Sequence, residues 1–303
     1  MQVQHEIRGV LPVFQTPFND DAEESVDFAT LRSEIEWLFK VGSHGVVLGM
    51  VSEVLRLGAD ERKRVVEVVC DAARGRGPVV VSAGAESTIV AIDYAQHAER
   101  AGAGALMVIP PVSVGVSEDE LVRYYERILA AVSIPVIVQD ASGYVGRPMS
   151  ISLQAELFRR HGPRVMFKPE ATPLGPRLSA LRDAVGPDAR IFEGSGGIAL
   201  VDNHRRGIDG SIPGADLADF VLALWNALER GDTARIDAIS TPLTAMNSLL
   251  HSLDAYVAVE KYLLVHRGVL HNTIVRGPTG FVLDAHTRTE VDRLYQLLER
   301  AVA

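Results

Sequence analysis

Short β-branched runs, each ending in Gly, Pro or a polar residue, alternate with longer amphipathic stretches through most of the chain, which is the rhythm of βα units. Eight runs predict strands: Val10–Phe14, Gly45–Gly49, Pro78–Ala83, Ala105–Ile109, Pro135–Gln139, Val165–Lys168, Arg190–Glu193 and Ile208–Ile212. The helical stretches between them open on caps or acidic first turns, as at Asp60-Glu61 before Arg62–Ala73 and Ser117-Glu118-Asp119-Glu120 before Leu121–Ala131. The runs are apolar on both faces, as strands of a helix-covered parallel sheet are. Eight such units read first as an α/β fold of the (β/α)8 TIM-barrel type and second as an open doubly wound sheet, and the even count and spacing favour the barrel. After about Asp232 the pattern turns to helix upon helix over Thr233–Ser248, Ser252–Arg267 and Ala285–Ala301, with turns at Gly268 and Gly277-Pro278-Thr279-Gly280. The expected organisation is a catalytic barrel over residues 1–230 and a C-terminal helical extension packed on it over residues 231–303.

Composition narrows the function classes. With 303 residues, 47% hydrophobic and 23% charged, the chain can bury a sizeable core and does not have a disordered protein's composition. Its longest apolar runs, such as Phe220–Trp225, fall far short of the roughly 18–20 residues that cross a bilayer. The opening Met1-Gln2-Val3-Gln4-His5-Glu6 lacks a basic start and apolar stretch, so a cytoplasmic location is expected. A net charge of −9 repels phosphate backbones and anionic lipid, so neither nucleic acid nor membrane is an expected partner. The single cysteine, Cys70, lies in an apolar helical run and is expected to pack. Nine histidines show no HExxH spacing or Cys-His cluster, and neither GxGxxG nor GxxxxGK occurs, so no metal and no nucleotide cofactor is expected.

Barrel enzymes carry their chemistry at the C-terminal ends of the strands. Of four lysines, Lys40, Lys63 and Lys261 read as helical and solvent-facing, whereas Lys168 ends the apolar run Val165-Met166-Phe167. Apolar surroundings favour a neutral amine able to attack a carbonyl, the outline of a Schiff-base lysine; the alternative is a rim lysine reaching water. Pro169 keeps the backbone extended, and strand alternation then brings Glu170 to the same side, as a proton-transfer group or as an ion-pair partner. Gln139-Asp140 end the fifth run before a glycine-bearing polar loop, Ala141-Ser142-Gly143-Tyr144-Val145-Gly146. Gly49-Met50-Val51-Ser52-Glu53 and Gly194-Ser195-Gly196-Gly197 read either as tight turns or as sources of backbone N–H groups for a carboxylate or phosphate.

Taken together, Gly9-Val10 with Thr16-Pro17-Phe18, Gly49-Met50-Val51-Ser52-Glu53, Asp60-Glu61-Arg62, Ala83-Gly84, Gly102 to Ala105 before Pro110-Pro111, Ile134-Pro135, Lys168 and Gly194 resemble the dihydrodipicolinate synthase and N-acetylneuraminate lyase family nearly end to end. The resemblance implies a Schiff base between Lys168 and pyruvate or another 2-oxo acid with no separate cofactor, and a homotetramer made of two tight dimers. It implies a carboxylate pocket at Met50, Val51 and Ser52, with Asp140, Tyr144, Gly194, Ser195 and Ile212 as further substrate-binding positions and Lys168, Glu170 and Gln139 as the catalytic set. Tyr144, Ser195 and Ser211 are expected to line the distal part.

The departures are informative. Gln139 stands where family synthases and lyases have a proton-relaying tyrosine. Met50 or Val51 replaces the relay threonine, Ser113 the tyrosine from the neighbouring subunit, and Tyr144 the arginine that receives the synthases' aldehyde substrate. Lys-Pro-Glu with Gln-Asp looks like family branches acting on 2-keto-3-deoxy sugar acids, which makes a dehydratase or aldolase on such an acid the leading expectation. The alternatives are a synthase-like pyruvate aldolase and a non-catalytic 2-oxo acid binding protein on the same barrel.

Overall fold

Each apolar run becomes a strand whose residues are buried on both faces, between the barrel axis and a ring of helices. The computed structural model describes residues 6–303; Met1–His5, on which most of the reading of the chain's start rests, lie outside the described residues. The strands are β1 (Gly9–Val10), β2 (Val46–Leu48), β3 (Val79–Ser82), β4 (Ala105–Val108), β5 (Val136–Asp140), β6 (Val165–Pro169), β7 (Phe192–Glu193) and β8 (Gly210–Ser211). β2 to β6 pair in sequence, all parallel, and β1 pairs β8, which pairs β7. Single parallel bridges from Val13 to Val47 and to Gly214, and from Phe167 to Ile191, join the two groups into a closed barrel.

The first, seventh and eighth strands are the shortest, two residues each against apolar runs of four or five. In the first the reason is local: Pro12 has no N–H to donate, so the ladder is interrupted there on the donor side, although Leu11 N–H still reaches Ser211 O, Pro12 O accepts from the Val47 N–H, and Val13 and Phe14 N–H reach Pro213 O and Val47 O.

The barrel helices are α1 (Phe28–Lys40), α2 (Ala59–Ala72), α3 (Thr88–Ala101), α4 (Glu118–Ala131), α5 (Ile151–His161), α6 (Leu174–Val185), α7 (Leu200–Arg205) and α8 (Ala218–Arg230). After them come α9 (Thr233–Asn247), α10 (Leu253–His266) and α11 (Ala285–Val302), within a residue or so of the predicted stretches. Inward side chains such as Val47, Val80, Met107, Ile137, Met166 and Phe192 fill the barrel, and a larger apolar layer lies between strands and helices. Cys70 packs in that layer, where burial pushes its thiol up to about 12. Among the described residues no helix is long and apolar enough to cross a membrane.

One lysine departs from its expected place. Lys261 is 1% exposed on α10, where its Nζ reaches Glu53 Oε1 at 2.5 Å, Thr16 O at 2.8 Å and Ile274 O at 2.5 Å, and lies 4.4 Å from the centre of the Phe18 ring. It is interior because α10 is buried over most of its surface: Tyr256, Val257, Val259, Leu263 and Leu264 are all buried, Asp254 and Tyr262 are half-buried, and His266 is exposed at the end of the helix. The Lys261–Glu53 pair fastens α10 to the loop after β2. Lys261→Met is expected to lower stability by about 2–3 kcal/mol, measured by urea denaturation, because the buried Glu53 carboxylate loses its nearest cation and keeps only Arg56 at 3.7 Å and the Arg276 N–H. An unchanged urea midpoint would contradict this.

Candidate active site

Alternation along β6 turns Met166 and Lys168 toward the barrel axis, and Pro169 carries the same alternation on to Glu170. Lys168 Nζ lies 2.8 Å from Glu170 Oε1 with both side chains buried. From β5, Gln139 Nε2 donates to Glu170 Oε2 at 2.6 Å, and from the loop after β7 the Ser195 N–H donates to Oε1 at 3.2 Å. The carboxylate is thus held on three sides at the mouth of the barrel. Gly194 explains why it fits: a Cβ there would stand 2.3 Å from Glu170 Oε1, so any side chain would evict it.

The cleft above Lys168 is walled by Gln139 and Glu170, by Met50 and Val51 from the turn after β2, and by Ile212 beyond β8. In that turn, Met50–Ser52, the Met50 and Val51 N–H groups make no hydrogen bond among the described residues. Two adjacent unspent donors at the edge of the cleft suit a carboxylate.

Some expected site residues do other work. Ser52 is fully buried: its N–H goes to Gly49 O at 3.1 Å, and its hydroxyl donates to Phe14 O at 2.5 Å and accepts from the Gly49 N–H. It ties the turn together instead of facing the cleft. Asp140 follows the inward Gln139, so alternation sends it to the other side of the sheet, where it accepts from Ser142, the Met149 N–H and Arg177. Ser211 likewise faces outward and donates to Glu193 Oε2 at 2.6 Å. Gly194 makes room for Glu170 and does not itself line the cleft. Tyr144 and Ser195 do line it, and Ser113 is exposed on the loop after β4.

The roof comes from α10, a helix far from any strand end in sequence. Leu253, Tyr256 and Glu260, at helical spacing on one face, line the cleft. The Tyr144 and Tyr256 rings meet edge to face with centroids 5.7 Å apart. Burial, helped by the charge of Glu170, holds the Tyr144 hydroxyl well above the ordinary tyrosine range, and burial does the same for Tyr256, so both stay protonated. Glu260 accepts from Gln15 Nε2 at 2.6 Å, and burial next to Asp216 holds its carboxyl well above the carboxylate range.

Glu193 belongs to the same acidic group behind the loop. It is 2% exposed, its Oε1 has no hydrogen-bond partner, and burial pushes its carboxyl up to about 8 against the pull of Ser211 and Lys168. Between the ordinary 4.5 and about 8 the folded chain holds a proton that the unfolded chain releases. Glu193 therefore makes stability fall as pH rises through that window, at about 1.4 kcal/mol per pH unit. Urea titrations at about pH 5 and about pH 8 are expected to show a smaller fall for Glu193→Gln than for the parent. An equal fall would mean that Glu193 ionises alike in both states.

The model of the dihydrodipicolinate synthetase family matches residues 6–297, nearly the whole described chain, with Lys168 and Gly194 inside the match. The chain belongs to the dihydrodipicolinate synthetase family. It is 31% identical over 287 residues to the 4-hydroxy-tetrahydrodipicolinate synthase of Rhizobium meliloti (strain 1021), covering 94% of this chain and 96% of that one. It is 33% identical over 286 residues to the enzyme of the same name from Methylobacterium radiotolerans, covering 92% and 94%. Among solved structures, YagE, a prophage protein from E. coli K12 of the dihydrodipicolinic acid synthase family, in complex with pyruvate, superposes with a TM-score of 0.86 at 26% identity, covering 96% of this chain and 98% of that one. Members of the dihydrodipicolinate synthetase family are lyases, and this chain is a lyase built on their barrel.

Proposed function

We propose that this lyase acts on a 2-keto-3-deoxy sugar acid and removes water across C3 and C4. The observation that carries the reading is the Glu170 carboxylate, 2.8 Å from Lys168 Nζ and braced by Gln139 at 2.6 Å. With glutamine at residue 139, the fifth strand supplies no proton-transferring side chain there, and Glu170 is the proton-transferring group beside the lysine. The substrate carboxylate binds the free N–H groups of Met50 and Val51. The Lys168 amine adds to the C2 carbonyl, and the carbinolamine loses water to give an iminium. Glu170 then takes the C3 proton, and the C–H electrons form the enamine. The enamine electrons expel the C4 hydroxyl, which leaves as water after receiving the proton from Glu170. Hydrolysis of the resulting conjugated iminium frees Lys168.

The pyruvate bound by YagE supports a 2-oxo acid head group for this cleft as well. A homotetramer is part of the same proposal, supported by exposed apolar side chains at Ile89 and Val90 on α3 and at Val114 and Val116 on the loop before α4.

The test is incubation with 2-keto-3-deoxy acids, with borohydride trapping followed by peptide mapping and with parallel assay of free pyruvate. An adduct on Lys168 and consumption of substrate without pyruvate release is the expected result. Release of one pyruvate per substrate would replace dehydration by retro-aldol cleavage, and failure to trap any 2-oxo acid would overturn the assignment of Lys168.

A further inference from the structure

The outer half of the cleft has an unusual charge balance for a site that holds an acid. Among the described residues lining it, Lys168 is the sole cation, and its nitrogen is used by Glu170 or by the Schiff base. Of the arginines on the elements that frame the cleft, Arg147 on the Tyr144 loop is exposed, lies against Gly115 and does not line the cleft, while Arg56 and Arg177 are engaged. Arg56 bonds Asp254 at 2.5 Å and pairs with Glu53, while Arg177 bonds Asp140 at 3.3 Å and Met149 O at 2.7 Å behind the sheet. Opposite the Met50–Val51 donors stand two tyrosines, Ser195, Leu253 and the carboxyl of Glu260.

We propose that the far end of the substrate is uncharged and that the Tyr144–Tyr256 pair selects it, so that a sugar acid with one carboxylate is accepted and its dicarboxylic counterpart of equal length is refused. The inference rests on the lyase reading above and adds the class of the distal group.

Two physical arguments carry it. A second carboxylate would enter a buried space with no cation to meet it, facing Glu170 and the carboxyl of Glu260, and a charge buried without a partner is strongly disfavoured. An alcohol or hydroxymethyl end meets what is present. Tyr144, Ser195 and Tyr256 line the cleft together, and their hydroxyls can both donate and accept. Tyr256 is only 7% exposed and packs edge-on against Tyr144, so the pair is a fixed wall and not a movable side chain at the rim.

The experiment compares two six-carbon 2-keto-3-deoxy acids, one ending in a hydroxymethyl group and one in a carboxylate, competing for borohydride-trapped adduct on the full-length protein. Pyruvate, which has no distal end, is trapped in parallel. The readout is the ratio of the two adducts within one protein, which partial loss of folded material does not change. The expected ratio for the parent is about 100-fold or more in favour of the monocarboxylate. In Tyr144→Arg, which installs a guanidinium at the distal wall, the ratio is expected to shift toward the dicarboxylate. In Tyr256→Phe, which removes one hydroxyl, it is expected to narrow by about tenfold. Near-equal trapping of the two acids by the parent, with pyruvate still trapped, would overturn the inference and leave the lyase reading standing. Failure to trap pyruvate would overturn the lyase reading itself and the inference with it.

Discussion

Borohydride reduction of Lys168→Ala in the presence of pyruvate is expected to leave the protein's mass unchanged, whereas the parent gains one reduced adduct that maps to Lys168. The expectation follows from the placement of the amine. Lys168 is the one lysine whose nitrogen lines the cleft, while Lys40 and Lys63 lie on outer helices and Lys261 is fully engaged with Glu53 and two carbonyls. Turnover is expected to fall by about 10⁴-fold or more, because without the covalent electron sink the C3 carbanion has nothing to delocalise into. Persistence of an adduct in Lys168→Ala would mean that another amine is the nucleophile.

Glu170→Gln separates the covalent step from the proton transfer. The amide keeps the size of the side chain; its oxygen can accept from the Ser195 N–H and its NH2 can donate to Gln139 Oε1 once the Gln139 amide turns over, but it cannot hold a proton in transit. The pyruvate adduct is expected to persist while turnover falls by about 10²–10⁴-fold, the usual worth of a positioned general base. Exchange of pyruvate methyl protons in heavy water gives a readout that does not depend on the true substrate. The parent is expected to exchange them through the enamine and Glu170→Gln to exchange them far more slowly. Near-parental exchange with the adduct intact would remove Glu170 from the proton transfer and leave it as the ion-pair partner of Lys168.

The legible and illegible parts of this site differ for physical reasons. Lys168 and Glu170 could be placed together from sequence because strand alternation is rigid and Pro169 removes the main alternative backbone conformation. The same rule, applied to Gln139-Asp140, puts only the first residue inside, and Asp140 faces Ser142, Met149 and Arg177 instead of the cleft. Ser52 was drawn to the cleft by its neighbours, but a three-residue turn needs an internal fastener, and its hydroxyl supplies it. Tyr256 and Glu260 were invisible to a search of strand ends, since they reach the site from a helix more than 80 residues beyond β6 in sequence. A signal was present: a helix apolar over most of its surface leaves little room on a solvent face for Glu260 and Lys261. The eight strand positions followed from the apolar runs, whereas the shortness of β1 depended on Pro12.

The cleft is assembled from two separable parts of the chain. Lysine, glutamate and glutamine sit on adjoining strands paired in register, Gln139 opposite Lys168. Apart from Tyr144 and Ser195, the roof is carried by a single helix, fastened by the Lys261–Glu53 pair and, at its first turn, by Asp254 to Arg56 and the Gly280 N–H. Such a division lets selectivity be exchanged as a cassette: grafting residues 250–284 from a relative, with those fasteners kept, would change which acids are admitted while the reacting groups stay as they are.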